Sequence, residues 1–134
     1  MVLAARPGTP LEAEARRLVA HDIAAGRAAG EAPLVLIGSA PLGSASDRPA
    51  LFVQLQSARE CGSAGCSTTV YLWQGGAWRR VLDGVGGKLT VAAARTRGMA
   101  NLVTENTHYV WSGHDYRDAT PAPAIELRDL RRRR

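Results

Sequence analysis

From Ala50 to Tyr116 the chain is a succession of short extended stretches joined by turns too brief to reverse a parallel strand, and this spacing limits the fold more than any other feature. A parallel return needs a crossover of about a dozen residues or more, so neighbouring stretches here can pair only antiparallel. Ala50 to Ser57 sets Leu51, Val53 and Leu55 against Phe52, Gln54 and Gln56, the period-two alternation of a strand. Thr68 to Trp73 follows, and Gly75-Gly76 supplies a two-residue hairpin turn into Trp78 to Leu82. Asp83 to Gly87 turns the chain into Leu89 to Ala93, and Arg95 to Gly98 turns it into Ala100 to Thr104. Glu105-Asn106 leads to Thr107 to Trp111, and Ser112-Gly113-His114 makes the last turn before Tyr116.

Upstream the period is helical. Thr9-Pro10-Leu11-Glu12 reads as a helix start in which Thr9 caps, Pro10 takes the first helical position and Glu12 completes a capping box. Leu11, Ala15, Leu18, Val19 and Ile23 share a stripe that leaves Arg16, Arg17 and Asp22 aside, which predicts an amphipathic helix from Pro10 to Ala25 or Ala29, stopped by Gly26 or Gly30. A first strand, Leu34 to Ile37, and a loop rich in Gly, Ser and Pro, 38–49, connect helix to meander. The loop lacks a Gly-Lys-Ser/Thr ending and opens no helix, so it is not a phosphate cradle. The expected fold is α+β: one N-terminal helix packed on one antiparallel meander of about five to seven strands. Residues 9–120 form the domain, 1–8 an N-terminal extension and 121–134 a Pro- and Arg-rich tail.

Of 134 residues, Ile, Leu, Val and Phe together number 28, enough for one modest core and too few for two. The net charge of +5 owes four of its positive charges to Arg131 to Arg134, and residues 1 to 130 carry 13 basic and 12 acidic groups. Such a body lacks the lengthwise basic face of a nucleic-acid binder; a nucleic-acid reading through Arg128 and the terminal arginines ranks third. No apolar run approaches the ~20 residues that span a bilayer. Met1 to Ala5 is shorter than a signal peptide's hydrophobic region, so the protein is cytosolic or Met1 stands where a leader was removed.

Cys61 and Cys66 are the only cysteines, separated by Gly-Ser-Ala-Gly, which can fold back and bring them together. Three readings stay open: a disulfide, free buried thiols, or part of a zinc site completed by His21, His108 and His114. The four-residue spacing and the lack of a second Cys pair put the disulfide first and the metal last. A disulfide places the chain in the periplasm or outside the cell; free thiols would place it in the cytoplasm.

Phe-Val-Gln-Leu-Gln at 52–56, Cys61-Gly62-Ser63-Ala64-Gly65-Cys66, Gly75-Gly76-x-Trp78, Gly98-Met99-Ala100-Asn101-Leu102 and Ser112-Gly113-x-x-Tyr116 together resemble small exported proteins of Gram-negative bacteria. The similarity covers about half the chain and rests chiefly on the Cys-Gly-x-x-Gly-Cys hairpin. It implies an envelope location and a disulfide, and it carries no catalytic residues across.

For chemistry the sequence offers little. His108, His114 and Asp115, with Ser112 nearby, surround the last turn and form the hydrolase alternative, but one hairpin seldom supplies nucleophile, base and orienting acid together. The carboxylates are scattered singly, with no glycosidase pair or divalent-cation loop, and neither a cofactor nor a metal is expected. The aromatic residues are more suggestive. Val70, Leu72 and Val110 alternate with Tyr71, Trp73, Tyr109 and Trp111. If the aliphatic side meets the helix, the other side of the sheet collects Phe52, Tyr71, Trp73, Trp78, Tyr109 and Trp111 with Arg79 or Arg80. Aromatic and arginine clusters anchor partners and stack ligands such as sugars. The first expectation is therefore a non-catalytic envelope module, of inhibitor, immunity or adaptor type, binding another protein or a cell-wall or polysaccharide ligand through that face and the Cys61 to Cys66 loop.

Overall fold

The computed structural model describes residues 1–63 and 65–119. The expected tail, 121–134, with Arg128 and the four terminal arginines, lies outside the described residues.

Two nine-residue helices, α1 (Pro10–Leu18) and α2 (Ala20–Ala28), take the place of one continuous helix. The division falls at Val19, whose backbone sits at φ −108° and ψ 21°, while the Val19 N–H still reaches Ala15 and Ile23 N–H still reaches Val19. The stripe therefore survives the bend: Ala15, Val19 and Ile23 are all buried. Thr9 caps as expected by accepting from the Glu12 N–H, but Glu12 turns its carboxylate to Arg16 at 2.6 Å, so only half of the capping box forms. The helix runs through Gly26 and stops at Gly30, whose φ of +81° and the bonds Glu31 N–H to Gly26 O and Gly30 N–H to Arg27 O make a Schellman cap. Gly26 serves packing instead, since a Cβ there would lie 2.6 Å from Pro33 Cγ.

The strands are β1 (Leu34–Ala40), β2 (Ala50–Gln56), β3 (Cys61–Gly62), β4 (Gly65–Cys66), β5 (Thr68–Gln74), β6 (Ala77–Val85), β7 (Thr90–Thr96), β8 (Met99–Val103), β9 (His108–Trp111) and β10 (Tyr116–Asp118). All pair antiparallel with their neighbours, and with the helices they make an α+β fold. The single meander is corrected: the strands form one sheet in the order β1-β2-β5-β6, a second in the order β7-β8-β9-β10, and the small β3–β4 hairpin. The reason lies in the first sheet, which is apolar on both faces. Val35, Ile37, Leu51, Val53, Leu55 and Tyr71 meet the helices on one side. Phe52, Val70, Leu72 and Val81 meet Met99, Ala100, Leu102, Trp111 and Tyr116 of the second sheet on the other. One helical layer can cover only one of these faces, and folding the later strands back as a separate sheet covers the second.

The 38–49 loop is part of this core. Leu42 is fully buried between the sheets, and its carbonyl accepts from the Ala100 N–H at 2.8 Å. Gly43 bridges to Met99 at φ +147°, where a Cβ would strike the Gly98 carbonyl. Ahead of the helices, Ala4 exchanges two 2.9 Å hydrogen bonds with Ile37 along the β1 edge. Cys61 and Cys66 face each other across β3–β4 and are joined by a disulfide. No helix among the described residues is long and apolar enough to cross a membrane.

Candidate functional site

The residues expected on one aromatic face occupy three environments. Phe52 and Trp111 lie in the core between the sheets, at 0% and 4% exposure, with Trp111 packed edge-to-face on Tyr116 at 5.3 Å. Tyr109 packs half-buried against the same cluster. Neither Phe52 nor Trp111 presents a ring to a ligand, which corrects the expectation of a broad exposed aromatic sheet. The faces are the reverse of those expected: Tyr71 lies on the helix side, and Phe52 shares the other side with Val70 and Leu72, which the second sheet covers.

Tyr71, Trp73, Trp78 and Arg80 do come together. The Gly75-Gly76 turn, with φ values of +58° and +81°, sets the β5–β6 register so that Trp73 faces Trp78 and Tyr71 faces Arg80 across the strands. All four project on the helix side of the sheet. Tyr71 is 5% exposed at the helix contact, and burial raises its phenol pKa above the ordinary value. Trp73 and Trp78 are half-buried, edge-to-face at 5.1 Å. The Trp78 indole N–H is buried and has no hydrogen-bond partner among the described residues.

A residue that the sequence did not single out completes the platform. The Arg48 guanidinium lies 3.8 Å from the centre of the Trp73 ring, a cation–π contact. It is held there because the 38–49 loop is tied to β5: Asp47 N–H donates to the Trp73 carbonyl, Trp73 N–H to Ser46 Oγ, and Gln74 Nε2 to the Ala45 carbonyl, at 2.9, 3.1 and 2.7 Å. Nothing local in Ser-Asp-Arg-Pro announces this contact, which depends on where a distant loop lands.

Around the β6 edge the platform adjoins a cleft of about 380 Å³ lined by Arg79, Arg80, Asp83, His114, Asp115 and Tyr116. Arg79 spans it, donating from Nε to Gln74 Oε1 at 2.7 Å and from Nη2 to the His114 carbonyl. Arg80 and Asp83 stand 3.8 Å apart, with 60% and 68% of their side chains exposed. Asp115 accepts from Arg117 Nε at 2.8 Å and from Ser112 Oγ at 2.9 Å, and these bonds hold its carboxyl below the ordinary value. A larger groove, about 660 Å³, runs between Met1 to Leu3, the Cys66 hairpin and Lys88, away from the aromatic residues expected to bind but lined by Ser63, Gly65 and Cys66 of the expected contact loop.

Of the residues of the hydrolase alternative, the structure keeps His114 and Asp115 together in the last turn and sets His108 apart from them. His108 opens β9 and pairs with Val103, whereas His114 lies in the turn beyond the other end of that strand. The rise of about 3.3 Å per residue separates them by roughly 10 Å or more of backbone. Ser112 is engaged in the turn itself, its Oγ accepting from the His114 and Asp115 N–H groups while donating to Asp115. No group of three or more His, Cys, Asp or Glu among the described residues is placed to hold a metal ion. Compared with known proteins, the chain matches no family model, no curated protein and no solved structure.

Proposed function

We propose that this protein is a non-catalytic binding module of the bacterial envelope, of inhibitor, immunity or adaptor type, and that it engages its partner through the β6 surface. The observation that carries the reading is the convergence of Trp73, Trp78, Arg48 and Arg80, the last of which also lines the cleft at the β6 edge. Partly exposed indoles supply large contact area, and tryptophan and arginine recur as anchors in recognition sites. The Cys61–Cys66 disulfide supports an envelope location, since such bonds persist in oxidising compartments. The resemblance to small exported proteins points the same way.

Capture from envelope extract tests the reading. Trp73→Ala and Arg80→Ala are expected to lower recovery of the partner by about tenfold, the range of a 1.4 kcal/mol contact. Tyr109→Phe, on the second sheet, is expected to leave it unchanged. Undiminished capture by both β5–β6 variants overturns the assignment of this surface.

A further inference from the structure

Resting on the binding-module reading, we infer that the partner presents an acidic protein segment, whose carboxylates are taken by Arg79 and Arg97 at the tip of the last turn.

Two arginines from different parts of the chain reach neighbouring residues of that turn. Arg79, on β6, donates from Nη2 to the His114 carbonyl. Arg97, between β7 and β8, brings Nη1 to 3.6 Å from the point that a Cβ on Gly113 would occupy. Consecutive Cα atoms are about 3.8 Å apart, so both guanidiniums lie within reach of one short segment. Neither has a carboxylate to balance it. Arg79 is hydrogen-bonded to the neutral Gln74 amide and the His114 carbonyl, and Arg97 has no hydrogen bond or ion pair among the described residues. Arg95 adds a third positive charge, its Nη1 shared between the Leu42 and Gly98 carbonyls. The carboxylates around them are already matched, Asp115 by Arg117 and Asp83 by Arg80. Asp47 is followed directly by Arg48, and Asp118 sits opposite Tyr109 at the far end of β10.

The backbone at Arg97 is an independent sign. At φ +52° it is the one non-glycine among the described residues in the left-handed region. With Gly98 at φ +79° it makes a two-residue turn in which both φ values are positive, a place that asparagine, aspartate or glycine fills at least cost. Neither backbone preference nor a polar contact within the fold accounts for an arginine there, and residues held in such conformations cluster at binding sites. A carboxylate from outside does account for it, since the planar guanidinium grips that group through paired donors.

The arrangement favours a protein over a nucleic acid. A single strand carries a charge at every nucleotide and would set phosphates against Asp83 and Asp115 as well as against the arginines. A protein segment can place its carboxylates at the arginines alone, and arginine beside tryptophan is the common composition of interface anchors.

The test is NMR titration of the full chain with acetylated hexaglutamate amide and with heptathymidylate of equal charge. Hexaglutamate is expected to shift the Arg97, Gly113 and His114 amides and to bind more tightly than the oligonucleotide, weakening severalfold between roughly 50 and 300 mM NaCl. Arg79→Gln and Arg97→Asn are each expected to weaken it by about two- to fivefold, the range of exposed ion pairs. Arg27→Gln, the same loss of charge on α2, is expected to leave it unchanged. Arg97→Asn is also expected to hold or raise the melting temperature, which separates lost binding from lost folding. A clear fall in that temperature assigns Arg97 to the fold and overturns the inference. Equal weakening by Arg27→Gln, or binding untouched by both turn variants, overturns the site. Tighter binding of heptathymidylate overturns the partner class. No binding of hexaglutamate, with Trp73-dependent capture from envelope extract retained, overturns the acidic partner and leaves the module reading standing.

Discussion

Tyr116 donates its hydroxyl proton to the Ala100 carbonyl at 2.7 Å inside the core between the sheets, and burial pushes its phenol pKa well above the ordinary range. Tyr116→Phe keeps the ring and removes that buried hydrogen bond, so it is expected to lower unfolding free energy by about 1–2 kcal/mol in urea titrations. An unchanged midpoint would show that the bond adds nothing net. Asp115 carries the pH dependence of the last turn. Arg117 and Ser112 stabilise its ionised form, which places its folded pKa below the 3.8 of an ordinary aspartate. Its contribution is therefore complete above the unfolded value of about 3.9 and is lost as pH falls through the folded one. Carboxyl-carbon NMR should give a midpoint below 3.8 that rises in Arg117→Gln; a midpoint at or above 3.8 in the native chain contradicts the geometry. At this scale the alternation of Tyr71 and Trp73 against Val70 and Leu72 was legible in the sequence. The fates of Phe52 and Trp111 were not, because an alternating strand states that its faces differ without stating what will lie on each.

Among the elements, the β3–β4 hairpin does most to fix the chain path. It interrupts the connection from β2 to β5, and its Gly65 packs so closely on Gly87 that a Cβ would lie 2.9 Å from Gly87 Cα, which ties it to the link between the two sheets. Closing so short a loop is worth about 2 kcal/mol in the chain-entropy model. Reductant should therefore lower stability by about that amount in urea unfolding, and a Cys61→Ser/Cys66→Ser variant should match the reduced protein and ignore reductant. Coincident curves for oxidised and reduced material would remove the hairpin's structural role. The cysteine pair was readable from spacing, as were the helix start at Thr9 and the Gly75-Gly76 turn, because each is decided within a few residues. The bend at Val19 and the redirection of Glu12 to Arg16 were not, since a continuous stripe is compatible with one helix or two.

For the whole molecule, three layers explain why a chain with few large aliphatic residues closes a core. The helices cover one face of the first sheet and the second sheet covers the other, with Leu42 inserted from the 38–49 loop. Antiparallel pairing and α+β composition follow from turn lengths and periodicity. The division into two sheets does not, because the turn from β6 into β7 reads the same whether the next strand continues a sheet or folds across it. That division moves the candidate surface from a broad aromatic sheet to the β6 edge. The most direct test of this account is residue-resolved NMR during titration with whichever partner the chain captures. Shifts at the Trp73 and Trp78 indoles, Arg80 and the His114-Asp115 turn are expected, while Met1 to Leu3 and Lys88 stay still. Shifts confined to the Met1, Cys66 and Lys88 groove, with the indoles unmoved, would contradict it.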